Sequence, residues 1–124
     1  MQNILVIDDD PDIGLMIKSL MEYKGYAVSV LESSAQANKI LKNNSIDLVI
    51  LDMLLSGESG IDVIAGFKND NTIAHIPVMM MSAHPGAKKF CLQAGADDYI
   101  SKPFEMQDII SKSSNLINRN SNTA

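Results

Sequence analysis

Residues 4–10 read ILVIDDD, four consecutive apolar residues followed directly by three acidic residues. Residues 48–52 follow the same plan and read LVILD. Continuous apolar runs of this length are typical of strands covered on both faces in a parallel sheet, because a half-exposed strand alternates apolar and polar residues. The two stretches therefore predict buried parallel strands, and each strand carries a carboxylate at its carboxyl end.

Beyond these stretches, short apolar runs alternate with segments whose apolar residues have helical spacing. We predict five strands, at residues 4–7, 27–31, 48–51, 78–81 and 99–100. We predict five helices, at residues 12–24, after 33–34, at 60–68, at 85–94 and after Pro103. This alternation is typical of a doubly wound α/β sheet. One domain over residues 1–118 accounts for the pattern, and residues 119–124 form a polar tail that we expect to be frayed.

The composition argues against several classes of protein. The chain has 124 residues, and its 15 acidic and 10 basic residues give a formal net charge of −5, which argues against direct nucleic-acid binding by this domain. The single cysteine, Cys91, cannot form an internal disulfide and suits a reducing compartment. The N-terminal apolar run is too short for a signal peptide or a membrane span. We therefore expect a cytoplasmic protein with no membrane contact.

Polar side chains follow four of the predicted strands at the point where each strand ends. Ligands of open parallel sheets bind at this edge, near the point where the strand order reverses. The residues are Asp8, Asp9 and Asp10 after the first strand, Asp52 after the third, Ser82 after the fourth, and Ser101 and Lys102 after the fifth. Each of them taken alone is more commonly a turn, cap or solvated residue. Their coincidence on one edge favours a functional site.

The residue types on this edge suit phosphoryl transfer. Crowded carboxylates repel one another and raise their own pKa values unless a cation joins them. Hard oxygen ligands favour Mg²⁺, which also coordinates phosphate oxygens. A carboxylate can attack phosphorus to give an aspartyl phosphate, and Lys102 and Ser82 would then supply charge and a hydrogen bond to the phosphoryl oxygens.

Four segments resemble the receiver domain of two-component response regulators. ILVIDDDPD (residues 4–12) is similar to the opening strand and acidic pair of that family, and LDMLLSGESGIDVI (51–64) to the segment around its phosphorylated aspartate. MMMSAH (79–84) is similar to the strand that ends in Ser/Thr-Ala, and GADDYISKPF (95–104) to the aromatic and Lys-Pro segment. The resemblance covers residues 4–117. It implies a flavodoxin-like (βα)5 fold, a five-stranded parallel sheet with strand order 2-1-3-4-5.

The resemblance implies a phosphoacceptor and a metal site. Asp52 is the implied phosphoacceptor. The implied metal ligands are Asp9 and Asp52 directly, Asp8 largely through water, and the backbone carbonyl of Leu54. The implied cofactor is Mg²⁺, with Mn²⁺ as a substitute.

The resemblance also implies a switch and its partners. Lys102 would pair with the phosphoryl group, and its bond to Pro103 is expected to be cis. Ser82 would move toward a phosphoryl oxygen, and Tyr99 would swing inward as an aromatic switch. These movements would remodel the face of the fourth helix, fifth strand and fifth helix. The implied partners are a sensor histidine kinase or histidine phosphotransfer protein and a downstream effector or output domain, and a phosphorylation-dependent homodimer is left open. We expect a signalling switch that assists only its own phosphorylation and dephosphorylation, not an enzyme.

Three residues depart from the usual pattern of that family. Ser56 stands four residues after Asp52, where proline is common, and His84 occupies the variable position after Ser82-Ala83. Leu54 is apolar where many relatives have a polar side chain that helps a water molecule attack. We predict slow self-dephosphorylation, because Leu54 offers no group to orient that water.

Three other functions are weighed against this one. A phosphohydrolase of the haloacid-dehalogenase type would carry the phosphoryl group on Asp8, although Asp12 stands where that family has Thr or Val and no cap domain fits in 124 residues. An FMN-binding, flavodoxin-like module is disfavoured by acids at the edge where the cofactor phosphate would bind. A non-phosphorylated interaction module is disfavoured because all of the expected site residues are present.

Overall fold

The computed structural model describes residues 1–121. In it the apolar runs form strands and the segments of helical spacing form helices. The strands are β1 (Asn3–Ile7), β2 (Ala27–Leu31), β3 (Leu48–Asp52), β4 (Leu54–Leu55), β5 (Glu58–Ser59), β6 (Val78–Ser82) and β7 (Asp98–Ser101). The helices are α1 (Pro11–Tyr23), α2 (Ala37–Asn43), α3 (Gly60–Lys68), α4 (Ala87–Gln93) and α5 (Met106–Ser121). The five predicted strands and five predicted helices are confirmed, with shifted ends.

Five of the strands form one parallel sheet. Their order is β2-β1-β3-β6-β7, which confirms the predicted order 2-1-3-4-5, because β4 and β5 lie outside this sheet. β4 and β5 form an antiparallel hairpin of their own, in which Leu54 pairs with Ser59 and Leu55 with Glu58. The sequence predicts only a loop here, because two paired positions on each side are too few to show a periodicity.

Both faces of the sheet are covered by helices and apolar side chains. In β1, Leu5 and Ile7 belong to one apolar cluster, whereas Ile4 and Val6 belong to the other. All residues of β3 and β6 are buried as well, and the consecutive methionines 79–81 pack in the core as predicted. Alternate residues of these strands therefore face opposite apolar layers, which is why their sequences are continuously apolar.

Helix α1 begins one residue earlier than predicted, at Pro11. Asp10 is its N-terminal cap, since the Asp10 Oδ1 accepts hydrogen bonds from the backbone N–H groups of Asp12 at 2.9 Å and Ile13 at 3.5 Å. Pro11 occupies the first helical position, where its fixed φ angle suits the helix and its missing N–H has no partner to lose. This cap starts the helix directly behind the acidic end of β1.

The later helices also differ from their predicted bounds. α4 begins at Ala87 instead of residue 85, because Gly86 has a φ of 80°, a left-handed conformation outside the helix. α5 continues to Ser121 and so enters the predicted polar tail, while residues 122–124 lie outside the described residues. No helix within residues 1–121 has the length and apolar character needed to cross a membrane.

Candidate functional site

The carboxyl ends of the parallel strands bring the predicted site residues to one edge of the sheet. Asp52 is the last residue of β3, Ser82 is the last residue of β6, and Asp8 and Asp9 follow β1 directly. Lys102 follows β7, and its backbone N–H donates to the carbonyl oxygen of Ser82 at 2.9 Å. Because neighbouring strands run in parallel and in register, residues far apart in sequence meet at this edge.

Three carboxylates form a cluster at the centre of the edge. Asp8, Asp9 and Asp52 each offer one carboxylate oxygen, and these oxygens lie within 4.8 Å of one another. The side chain of Asp8 is fully buried, that of Asp52 is 10% exposed, and Asp9 is partly buried. Three acidic groups at this spacing repel one another, and cations between them would reduce the repulsion.

Lys102 supplies one positive charge to this cluster. Its Nζ donates to Asp8 Oδ2 at 3.0 Å and to Asp52 Oδ2 at 3.1 Å. The peptide bond from Lys102 to Pro103 is cis, as predicted. One ammonium group therefore bridges two carboxylates that come from different strands.

Burial and neighbouring charges shift the pKa values of Asp52 and Lys102. Burial raises the pKa of the Asp52 carboxyl, and the neighbouring Asp8 charge raises it further, although Lys102 partly opposes both effects. Burial alone would lower the pKa of Lys102, but the hydrogen bond with Asp8 and the charges of Asp52 and Asp8 outweigh it and raise that pKa. Lys102 thus stays charged, while the carboxylates still exceed it in number.

The donor set fits a hard divalent cation. Carboxylate oxygens are the ligands that Mg²⁺ prefers, and a cation among Asp8, Asp9 and Asp52 would remove the excess negative charge. The backbone N–H of Leu54 donates to Asp52 Oδ1 at 3.4 Å, so the start of the hairpin lies beside the cluster. Coordination by the Leu54 carbonyl stays a prediction.

Ser82 and Tyr99 lie next to each other behind this edge. Ser82 is buried, and its Oγ accepts a hydrogen bond from the backbone N–H of His84 at 2.9 Å. Tyr99 is also buried, and its hydroxyl donates to the carbonyl oxygen of Ser82 at 3.1 Å. The aromatic ring therefore already points inward. The side chain of His84 is exposed, and its Nδ1 lies 2.7 Å from the Pro85 carbonyl oxygen.

Two hydrogen bonds of the site were not identified from the sequence. The Ser56 hydroxyl donates a hydrogen bond to Asp9 Oδ2, and this bond holds the pKa of the Asp9 carboxyl below its usual range. The backbone N–H of Asp10 donates to Asp8 Oδ1 at 2.9 Å. Local sequence patterns carry no signal for the Ser56 contact, because the two residues are 47 positions apart.

The fold and the site together define a class of protein, the doubly wound α/β domain with an acidic cluster and a lysine at the carboxyl edge of its sheet. Residues 4–114 match the family model of the response regulator receiver domain, and the chain belongs to this family. The family predicted from the sequence is confirmed, and with it the assignment to two-component regulatory systems.

Several known proteins are similar to this chain. It is 33% identical over 120 residues to the phosphate regulon transcriptional regulatory protein PhoB of Pseudomonas aeruginosa, covering 95% of this chain and 52% of that protein. It is 36% identical over 123 residues to the transcriptional regulatory protein KdpE of Mycobacterium tuberculosis, covering 98% and 53%. The chain thus spans about half the length of the curated relatives it matches. A solved response regulator receiver domain protein from Clostridium thermocellum has a TM-score of 0.89 and 33% identity over 100% of both chains.

Proposed function

We propose that this domain is a phosphoacceptor switch of a two-component phosphorelay and that Asp52 takes the phosphoryl group from a phosphohistidine donor. Membership of the receiver family supports the switch as a class of function. The particular residues, the metal and the donor are part of the proposal. The cluster of Asp8, Asp9 and Asp52, with Lys102 bound to Asp8 and Asp52, is the arrangement on which it rests.

Asp8 and Asp52 differ in their hydrogen-bond partners and in their exposure, and this difference supports Asp52 as the phosphoacceptor. Both oxygens of Asp8 have partners, Asp10 N–H on Oδ1 and Lys102 on Oδ2, and its side chain is fully buried. Asp52 is open to a donor at 10% exposure, and one of its oxygens has only a long 3.4 Å contact with Leu54 N–H. A nucleophile needs a free lone pair and access to phosphorus, which favours Asp52.

The proposed transfer conserves atoms and charge. An Asp52 oxygen attacks phosphorus, and the P–N bond of a phosphohistidine protonated at its other ring nitrogen breaks. The neutral imidazole leaves with the electron pair. Lys102 stays within reach of the phosphoryl group through its contact with Asp52 and offsets the added negative charge. Asp8, Asp9, Asp52 and the Leu54 carbonyl would hold Mg²⁺, or Mn²⁺ in its place, and the ion when bound supplies Lewis-acid stabilisation of the phosphoryl oxygens.

Ser82 and Tyr99 would couple phosphorylation to a conformational change outside the site. Ser82 would donate to a phosphoryl oxygen, and phosphorylation would favour the inward position of Tyr99 that its bond to the Ser82 carbonyl already holds. The face of α4, β7 and α5 would change with them and bind an effector, an output domain or a second copy of the domain. The relatives named as transcriptional regulators are about twice as long. We therefore assign any DNA binding to a part outside this domain.

In this proposal the domain acts in the cytoplasm, with a sensor histidine kinase or a histidine phosphotransfer protein as its phosphoryl donor. It is not an enzyme acting on a separate substrate. Its own chemistry is limited to assisting its phosphorylation and a slow loss of the phosphoryl group.

Labelling of the protein with acetyl phosphate tests the proposed function. We expect uptake of one phosphoryl group in the presence of Mg²⁺ and none after chelation of the metal. Asp52→Asn should remove the labelling, whereas Asp62→Asn, which changes an exposed acid in the first turn of α3, should leave it unchanged. Equal labelling of the wild type and Asp52→Asn would refute the assignment.

A further inference from the structure

The β4–β5 hairpin touches the acidic cluster through one side chain. Ser56 lies in the turn between the two strands, and its hydroxyl donates a hydrogen bond to Asp9 Oδ2. Asp9 comes from the other side of the site, directly after β1. The contact therefore joins the loop after β1 to the hairpin after β3, two strands that are neighbours in the sheet.

Further contacts fix the hairpin, so that Ser56 is held in place. The Glu58 carboxylate in β5 accepts hydrogen bonds from the backbone N–H of Ser34 at 2.8 Å and from the Ser34 hydroxyl. At the end of the hairpin, the Gly60 backbone N–H donates to the carbonyl oxygen of Met53 at 2.7 Å. The turn that carries Ser56 is thus anchored to the β2–α2 loop on one side and to the end of β3 on the other.

The chemical effect on Asp9 follows from the geometry. A carboxylate on a short side chain at the start of a loop can rotate, and rotation takes it away from Asp8 and Asp52. A hydrogen bond from a hydroxyl on this anchored turn selects one orientation, and the ligand then loses less freedom when a cation binds. The other oxygen of Asp9 keeps its lone pairs for the metal.

We propose that Ser56 is a positioning residue of the metal site, and that its hydroxyl orients Asp9 toward a divalent cation held with Asp8 and Asp52. This inference rests on the proposed function, because it takes Asp9 as a metal ligand. It adds a residue from the hairpin to that site. Ser56 does not touch the reacting atoms and acts only through Asp9.

Calorimetric titration of the whole chain with MgCl2 tests this role. Ser56→Ala should weaken Mg²⁺ binding by about tenfold, the size of effect typical of lost partners of metal ligands. Ser56→Thr keeps the hydroxyl and should restore binding close to that of the wild type. Ser29→Ala, an exposed serine on the edge strand β2, is the matched control and should bind as the wild type does.

Thermal unfolding in the absence of Mg²⁺ shows whether the variants fold, and we expect similar melting temperatures for all of them. Equal Mg²⁺ affinity of the wild type and Ser56→Ala, or equal weakening in Ser56→Thr, would overturn the positioning role and leave the proposed function intact. Absence of Mg²⁺ binding to the wild type would overturn both. Labelling of Asp52→Asn would count against the proposed function alone.

Discussion

At the scale of the residue, Asp52 sits at a position where its negative charge is unfavourable in the absence of a cation. It is nearly buried, Asp8 lies beside it, and Lys102 is shared between the two. Burial and the Asp8 charge raise the pKa of the Asp52 carboxyl. These features therefore reduce the stability of the metal-free fold at neutral pH.

The raised pKa of Asp52 predicts a pH-dependent effect of Asp52→Asn on stability. A group with a raised folded-state pKa contributes stability below its unfolded pKa, and this contribution is lost as the pH rises through the folded pKa. An asparagine stays neutral throughout. Metal-free Asp52→Asn should thus melt at a higher temperature than the wild type at neutral pH, and the difference should shrink toward acidic pH.

Asp70→Asn is a control for Asp52→Asn, because the pKa of Asp70 is lowered and that of Asp52 is raised. Hydrogen bonds from Thr72 and the Lys42 ammonium group lower the pKa of Asp70, so its charged form contributes stability above the unfolded pKa. Asp70→Asn should lower the melting temperature at neutral pH. A lower melting temperature of Asp52→Asn than of the wild type would contradict the account of Asp52.

We also predict that Leu54 determines the lifetime of the aspartyl phosphate. Its side chain is 62% exposed beside Asp52 and has no polar group to orient water. We expect a lifetime of minutes or longer in Mg²⁺ buffer, and Leu54→Gln should shorten it by about tenfold or more, because a positioned polar group assists the attacking water. Loss of label over time measures both.

Leu15→Gln provides the matched control for Leu54, since Leu15 is 61% exposed on α1. It should leave the lifetime of the phosphoryl group unchanged. A wild-type lifetime of seconds would show that Leu54 does not limit the attack of water.

At the scale of the element, the hairpin and α3 depend on a close backbone approach. A Cβ atom on Gly60 would lie 2.3 Å from the Asp52 carbonyl oxygen and 2.8 Å from Met53 Cα. Only glycine allows α3 to begin this close to the end of β3. The first residue of α3 thereby sets the path of the chain that leaves Asp52.

Two glycine substitutions on α3 should have opposite effects. Gly60→Ala should destabilise the domain by about 1–3 kcal/mol, because backbone atoms must move to make room. Gly66→Ala meets nothing within 4 Å and should stabilise it by about 0.5–1 kcal/mol, because alanine favours the helix more than glycine. Urea unfolding of both variants measures the change in the free energy of unfolding. A Gly60→Ala variant as stable as the wild type would show that the backbone of α3 is not tightly packed against the end of β3.

The elements also show how far the sequence predicts the site. Continuous apolar runs that end in Asp8, Asp52 and Ser82 predict both the strands and the edge on which their ends meet, because parallel strands align their carboxyl ends. The hairpin, the Ser56–Asp9 bond and the Ser34–Glu58 bond could not be predicted. The hairpin has only two paired positions on each side, too few to show a periodicity. The two bonds join residues 47 and 24 positions apart, and periodicity reports only on neighbours within one element.

At the scale of the whole molecule, metal binding should be linked to folding. The acidic cluster is assembled from the ends of β1 and β3 and exists only in the folded chain. A ligand that binds only the folded state stabilises it by an amount set by its concentration relative to Kd, about 2.7 kcal/mol at a hundredfold excess. The melting temperature should therefore rise with Mg²⁺ concentration.

The Mg²⁺ effect should depend on the acidic cluster alone. Asp9→Asn should reduce the rise in melting temperature, whereas Asp62→Asn on α3 should not. A rise of equal size in both variants would indicate a general effect of salt and would count against a metal site at this edge.

The position of the phosphoryl group shows directly whether Asp52 is the phosphoacceptor. The whole chain is treated with acetyl phosphate and Mg²⁺, the modified acyl group is reduced to homoserine, and the peptides are mapped by mass spectrometry. We predict modification at Asp52, the more accessible of the two lysine-bound carboxylates. Modification at Asp8, as a phosphohydrolase of the haloacid-dehalogenase type would show, would contradict it.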